Sequence, residues 1–485
     1  MKLQRLIDAV QPQEVIGETN RNITSVQSDS RKVEKDGLFV AVRGVTTDGH
    51  KYIPVVASTH VAAIVCEDLP ASLERGITYI RVADSAKALG LIASEWYGRP
   101  SEKLKLVGVT GTNGKTTTAT MLYEMARLLG YKAGLLSTVC NYIDTRMVPS
   151  THTTPDPLSL NSLLAEMVEE GCDYAFMEVS SHAAAQHRIA GLHYAGGVFS
   201  NLTRDHLDYH KTVEAYMNAK KSFFDMLPPT AFALVNADDK AGAIMLQNTK
   251  AHKFTYSLRT DADFRCRILE TRIDGTLLML NGREVEVQFS GRFNAYNLTA
   301  VYGAAILTGF DPDEVLVNMS RLVPVAGRFQ TFRDDRGVTA IIDYAHTPDA
   351  LINVLDTIRD IVGKDGYITT VVGCGGNRDH GKRPIMARES ALRSDRLIIT
   401  SDNPRDEEPA EIIAEMMTGL SPEENAKTIS ITDRREAIRT AIRTAQPGSV
   451  VLIAGKGHET YQEIKGVRHH FDDKEEVLNS SSFNH

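Results

Sequence analysis

The segment VGVTGTNGKTTTATMLYEMARLLG constrains this chain more than any other. A near-continuous apolar stretch runs into Gly111-Thr112-Asn113-Gly114-Lys115-Thr116-Thr117, and an amphipathic pattern over residues 115–129 follows. Strand, glycine loop and helix in that order let backbone N–H groups face a phosphate while the new helix adds the positive end of its dipole. Lys115 supplies a compact positive charge, and Thr116 offers a hydroxyl suited to Mg2+. The spacing departs from the full phosphate-loop pattern at Val109, where a first glycine would stand. Such a strand is buried on both faces, so the unit calls for a mostly parallel sheet covered by helices. The loop predicts ATP or GTP as a ligand without saying what the energy drives.

The rest of the chain divides around that unit. With 485 residues it is too long for one core. Short β-type runs (GLFVAVRG, AAIVCED, TYIRVAD) fill residues 1–100 and end at YGRPSEK, where Gly98 and Pro100 read as a linker. Strand and helix signals alternate over 101–327, through DYAFMEVSS, GGVFSNL and AFALVNAD, and alternating segments between 255 and 290 predict an appended antiparallel hairpin. A helix is expected over about 294–307, and RLVPVAGRFQ leads into a third region, 328–485. There VTAIIDYA, YITTVVGCGG, DRLIITSDNP and SVVLIAGKG alternate with helices, which predicts a second, Rossmann-like open α/β sheet. The fold class is therefore α/β in three domains. The small polar tail NSSSFNH reads as frayed.

A net charge of −8 spread along the chain, with no basic block, argues against nucleic acid as a partner. The N-terminus MKLQRLIDAV has no apolar leader core, and no stretch approaches the roughly 18 apolar residues of a membrane span, so a cytoplasmic protein without membrane insertion is expected. Five scattered cysteines (Cys66, Cys140, Cys172, Cys266, Cys374) suit free thiols in a reducing compartment and receive no catalytic role.

Ligands of open α/β sheets gather beyond the carboxyl ends of the strands. MEVSSHAAAQHRI delivers Glu178 there, and NLTRDHLDYH delivers His206, so both should converge on the glycine loop. In EAYMNAKKSFFDML, Lys220 and Lys221 read on their own as a solvated helix face. Asn294 and Asn297 lie one turn apart at the start of GRFNAYNL, where capping by Asn294 is a rival explanation. GCGGNR is not a dinucleotide fingerprint, because Arg378 occupies the third glycine position.

TGTNGKTT resembles the nucleotide loop shared by Mur ligases and folylpolyglutamate synthetases, and the remaining motifs occur in Mur ligase order over nearly the whole chain. The resemblance implies a UDP-sugar domain at the N-terminus, with Ser30 and Arg31 (in QSDSRKV) near the uridine diphosphate. It implies Mg2+ held by Glu178, His206 and Lys220, the lysine carbamylated by CO2, alongside Thr116. Asn294, Asn297, Arg328, Asp343 and His346 fall where the family meets ATP. Thr153, Thr154, Ser180, Gln186 and Arg188 match positions that hold the muramoyl dipeptide. Arg378, the quartet Asp402-Asn403-Pro404-Arg405, Gly455 and Glu459 match contacts to the incoming amino acid. DNPR resembles the signature of members that select meso-diaminopimelate, and the physical reason is direct: a guanidinium grips a second carboxylate in two parallel hydrogen bonds and repels the terminal ammonium of lysine.

The implied activity is an ATP-dependent amide ligase that adds meso-diaminopimelate to UDP-MurNAc-L-Ala-D-Glu through an acyl phosphate in peptidoglycan synthesis, working as a monomer. The alternatives are a lysine-adding relative, a folylpolyglutamate-type ligase, or, from another class, a regulatory P-loop NTPase. The N-terminal DSR segment and DNPR argue against the folate enzyme, and a switch has no need of amino-acid contacts in a third domain.

Overall fold

The computed structural model describes residues 1–44, 47–150, 152–203, 207–480 and 483–484. Three main sheets follow one another along the chain, each the core of one domain. The first has five strands: Val26–Gln27, Leu38–Val40, Ala63–Cys66 and Thr78–Arg81 run parallel, and Glu14–Ile16 pairs antiparallel with Thr78–Arg81. Helices Leu3–Val10 and Ser85–Trp96 bury Leu3, Leu6 and Ile92 against Val40 and Val65 on one face.

The central sheet has eleven strands, with the expected loop strand, Lys105–Thr110, in its middle. Tyr174–Glu178 and Gly196–Phe199 flank it in parallel register, Ala133–Leu136 lies beyond the former, and Phe232–Asn236 and His252–Ser257 lie beyond the latter. The chain thus leaves Lys105–Thr110 toward one side and later returns to the other, which makes a topological switch point at the carboxyl end of that strand. Lys115–Leu128 and Arg292–Thr308 cover one face, and Pro157–Glu169 and Val213–Asp225 cover the other. The hairpin expected between 255 and 290 is larger than the sequence reading allowed. Phe264–Arg272 first continues the parallel run beside His252–Ser257, and then forms an antiparallel meander with Gly275–Leu280 and Arg283–Val287. A second antiparallel pair, Asn141–Ile143 and Arg146–Val148, extends the opposite edge.

In the third sheet Thr428–Ser430, Arg396–Ile399, Ile368–Val372, Val450–Ala454 and Thr339–Asp343 are parallel, and Gln330–Asp334 closes one edge antiparallel. Part of the tail read as frayed is paired: Phe483–Asn484 lies antiparallel to Gln330–Asp334. Arg434 and Asp473, both fully buried, form a two-pronged ion pair that also ties to the Ala454 carbonyl, fixing the end of Val450–Ala454. Among the described residues no helix is long and apolar enough to cross a membrane.

Candidate active site

The glycine loop is held from the end of the neighbouring strand Gly196–Phe199. Ser200 and Asn201, which follow Gly196–Phe199, donate to the Asn113 carbonyl at 2.6 and 3.1 Å, and the Asn201 side chain accepts from the Asn113 N–H at 2.9 Å. Lys115 Nζ donates to the Gly111 and Thr112 carbonyls at 3.0 and 2.8 Å, so the cation sits across the mouth of its own loop. Gly114 has φ +87° and packs so closely on Asn297 that a Cβ there would strike Asn297 Oδ1. Asn297 in turn donates to Asn294 Oδ1 at 3.3 Å, and Asn294 donates to the Ser290 carbonyl at 2.9 Å. Asn294 is not the helix cap, because Gly291 occupies that position and Asn294 lies inside the first turn. Both asparagines are buried, Asn297 against the loop and Asn294 behind it.

Glu178 ends its strand buried, with Oε1 accepting from the Thr138 N–H at 2.7 Å and Oε2 left without a partner among the described residues. An orphaned buried carboxylate oxygen is costly unless something meets it, and a divalent cation does so. Lys220 is only 1% exposed, which overturns the solvated-face reading. Its Nζ donates to the Gly111 carbonyl at 2.7 Å and lies 4.5 Å from the centre of the Tyr216 ring. Lys221 is buried too, paired with Asp225 one turn on at 2.7 Å. His206 lies outside the described residues. Among the described residues no three His, Cys, Asp or Glu side chains gather as a metal set. Glu178, the Thr116 hydroxyl and Lys220 are the described members of the expected group.

Beside this group, the Thr138 hydroxyl donates to Thr153 Oγ1 at 3.0 Å, and Thr154 Oγ1 donates to the Glu178 carbonyl at 2.8 Å while accepting from the Ser180 N–H at 3.1 Å. Arg188 donates to the Thr154 carbonyl at 2.9 Å and twice to Gln186 Oε1. Burial lowers the pKa of Arg188, so this guanidinium is partly stripped of water. Thr153, Thr154, Ser180, Gln186 and Arg188 are thus one network on the Glu178 side of the sheet. Ser30 and Arg31 belong to the N-terminal domain, in a single helical turn where Arg31 is 86% exposed and forks onto Asp29.

The third domain reaches the loop directly. Arg328 donates to Thr116 Oγ1 at 3.2 Å, lies 4.4 Å above the Tyr344 ring, and keeps Nε buried without a partner among the described residues. Asp343 accepts from the Phe329 and Ala345 N–H groups, and its burial raises its pKa. His346 donates through Nδ1 to the Tyr344 carbonyl at 2.8 Å. The sequence reading missed Asn201 and Asp349. Asn201 stands at a strand end, where the rule that found His206 would have found it. Asp349, in the first turn of Pro348–Val362, accepts from Asn113 Nδ2 at 3.1 Å, a contact between distant segments that no local pattern announces.

The DNPR quartet follows Arg396–Ile399 and faces the loop after Val450–Ala454. Asp402 lies against Gly455, where an added Cβ would come 2.6 Å from Asp402 Oδ2. Asn403 donates to Glu459 Oε2 at 2.7 Å, and burial together with the Asp402 charge raises the Glu459 pKa. Pro404 presses its carbonyl onto Gly376. Arg405, at φ +52°, donates to the Gly376 carbonyl at 2.8 Å, and its guanidinium is 3.9 Å from Glu463. Its backbone pairs with the small hairpin Tyr461–Ile464 and Val467–His470. Arg378 is exposed on the neighbouring glycine loop. Carboxylates and a guanidinium on facing loops make a place for a zwitterion.

Three family profiles match in succession: Mur ligase family, catalytic domain, over residues 22–97; Mur ligase middle domain over 109–305; and Mur ligase, glutamate ligase domain, over 327–457. A protein of Parabacteroides distasonis is 61% identical over 477 residues, and one of Bacteroides fragilis is 59% identical over 475, each match covering 98% of both chains. Both relatives are named UDP-N-acetylmuramoyl-L-alanyl-D-glutamate--2,6-diaminopimelate ligase. A solved structure of a ligase of that name is 33% identical and superimposes with a TM-score of 0.71 over 99% of both chains.

Proposed function

The chain belongs to the Mur ligase family, and on that premise we propose that it adds meso-diaminopimelate to UDP-MurNAc-L-Ala-D-Glu, consuming ATP, as a step of peptidoglycan synthesis. The observation that carries the choice of amino acid is the joined acceptor cluster, in which Asn403 links Arg405's segment to Glu459. The guanidinium takes the far carboxylate of the amino acid, and Glu459 takes an ammonium.

The chemistry is positioning and charge neutralisation. The glycine loop residues Gly111 to Thr117 cradle the ATP phosphates, Asn294 and Asn297 face the base side, and Asp343 and His346 hold the third domain's edge. Arg328 meets developing charge on the transferred phosphoryl group. The substrate carboxylate, oriented by Thr153, Thr154, Ser180, Gln186 and Arg188, attacks the γ-phosphorus and expels ADP. The amine of diaminopimelate then attacks the acyl phosphate carbon, and phosphate leaves. Glu178, with its open buried oxygen, would hold Mg2+ together with Thr116, His206 and carbamylated Lys220, and the ion would neutralise phosphate charge. Ser30 and Arg31 serve the uridine diphosphate, and Arg378 and Gly455 complete the acceptor wall. In this reading residues 1–100, 101–327 and 328–485 bind UDP-sugar, ATP and amino acid in turn, within a cytoplasmic monomer whose five cysteines are free thiols.

Phosphate release should require ATP, UDP-MurNAc-L-Ala-D-Glu and meso-diaminopimelate together. Equal turnover with L-lysine would refute the amino-acid assignment, and GTP hydrolysis indifferent to both substrates would refute ligation itself.

A further inference from the structure

Lys456 sits in AGKGHET between two residues of the candidate acceptor site, Gly455 and Glu459, and its side chain is fully buried. Its Nζ lies 3.2 Å from Asn403 Oδ1 and 3.3 Å from Glu459 Oε2, donates to the Tyr461 carbonyl, and lies 5.5 Å from the centre of the Tyr461 ring. Three separate segments therefore converge on one cation: the DNPR loop, the loop after Val450–Ala454, and the hairpin that carries Arg405's backbone partner. We propose that Lys456 is the positioning residue of the amino-acid site, fixing the orientation of Asn403 and keeping Glu459 ionised for the ammonium of the incoming amino acid.

Two arguments support this assignment, which rests on the function proposed above. The first concerns direction. A free asparagine amide can turn either way, but Asn403 Oδ1 accepts from Lys456 and from the Glu463 N–H at 2.9 Å, so its NH2 must point to Glu459. Glu459 Oε2 is then taken by two donors, while Oε1 has no hydrogen bond among the described residues and remains for a ligand. The second concerns charge. Burial and the Asp402 carboxylate both favour a neutral Glu459, and Lys456 opposes them at close range. The other charged or titratable groups bearing on this spot are Arg434, Tyr344, Tyr461 and His458, the last held neutral by burial and by the neighbouring Arg328 and Lys456, which push its pKa down to about 3. Arg434 is already committed to Asp473, and the two tyrosines, kept neutral by burial and by the Glu459 charge itself, set no charge against it. Without Lys456 the carboxyl group would hold its proton to higher pH and lose its attraction for an ammonium.

The test uses the full-length enzyme with saturating ATP and UDP-MurNAc-L-Ala-D-Glu. Lys456→Met should raise the KM for meso-diaminopimelate by about tenfold or more with the KM for ATP changed less than about twofold. The acid limb of kcat/KM for diaminopimelate should also move up by about one pH unit, and in a Glu459→Gln background, where that limb is lost, the same substitution should leave the pH profile unchanged. Lys456→Gln, which keeps a donor for Asn403 but no charge, should show the pH displacement with a smaller change in KM at high pH, and it carries the test should the methionine variant fold poorly. A purely structural lysine would lower stability and leave the pH limb unmoved, and that result overturns the proposal, as does a parallel rise in both KM values. Failure of the unsubstituted enzyme to use diaminopimelate refutes the functional reading instead.

Discussion

Replacing Arg405 with alanine removes a guanidinium that the fold itself hardly needs. Among the described residues it makes one hydrogen bond, to the Gly376 carbonyl at 2.8 Å, and a loose ion pair with Glu463 at 3.9 Å, so the loss in stability should be about 1 kcal/mol. The backbone at φ +52° is already strained for any residue with a Cβ, and alanine retains that Cβ, so the strain cancels between the two proteins. The loss in recognition is larger. Two parallel charged hydrogen bonds to a carboxylate in a partly exposed site are worth about 2–3 kcal/mol together, which predicts a rise of about 30- to 140-fold in the KM for meso-diaminopimelate. The proposed ATP contacts lie on other loops, so the KM for ATP should stay within about twofold. Arg405→Lys keeps the charge and loses the fork, and should fall between the two. The assay is phosphate release against diaminopimelate at saturating ATP and UDP-MurNAc-L-Ala-D-Glu, with melting temperature as the control for folding. Equal rises in the two KM values, or an unchanged KM for diaminopimelate in a folded protein, would refute the assignment of Arg405 to the distal carboxylate.

Gly114→Ala forces a side chain onto Asn297 at a left-handed φ and should weaken binding of a non-hydrolysable ATP analogue by about tenfold or more in calorimetry, whereas unchanged affinity would show that the loop reshapes freely. Lys220→Ala should abolish turnover, and short carboxylic acids should restore part of it by standing in for the carbamate; rescue by amines instead would mean that the unmodified lysine acts. Glu407, two residues beyond the DNPR quartet and paired with the buried Arg383, supplies a pH test of stability. The Arg383 hydrogen bond, aided by the Asn377 N–H, lowers its pKa from 4.5 to about 2. A carboxylate depressed on folding stabilises the protein above its unfolded value and loses that contribution as pH falls from 4.5 toward about 2. Glu407→Gln should therefore melt lower than the parent at neutral pH, with the two converging as the pH approaches 2, and a gap independent of pH would refute the charge account.

The legible part of this molecule is the part whose physics is local. The glycine loop could be read because a phosphate-binding turn needs strand, glycine and helix within a dozen residues, and the buried place of Glu178 because it ends an apolar strand. Lys220 could not be read from its neighbours. Helix Val213–Asp225 buries two adjacent lysines, one beneath the Gly111 carbonyl and one against Asp225, and only the tertiary packing separates them from a solvated face. The meander after His252–Ser257 was underestimated for a similar reason: its first strand pairs parallel on one side and antiparallel on the other, and alternation along one segment does not name its neighbours.

The hairpin Tyr461–Ile464 and Val467–His470 shows where local reading stops in the candidate acceptor site. Its strands are polar and half to fully exposed, so they carry no core signature, and only Lys465-Gly466, both at positive φ, marks the turn. Yet the Glu463 carbonyl accepts from the Arg405 N–H, the Lys465 N–H donates back to Arg405, the Glu463 N–H meets Asn403, and the Tyr461 carbonyl meets Lys456. The DNPR quartet can be spelled from sequence, but its geometry is set by a strand some 60 residues later. Specificity for the amino acid should accordingly be as sensitive to the hairpin's backbone as to Arg405 itself. Ile464→Pro tests this, because proline removes no bond that Arg405 uses but disfavours the extended pairing with Val467. It should raise the KM for diaminopimelate while leaving that for ATP in place, and an unaffected KM for diaminopimelate would show that the quartet holds its own shape.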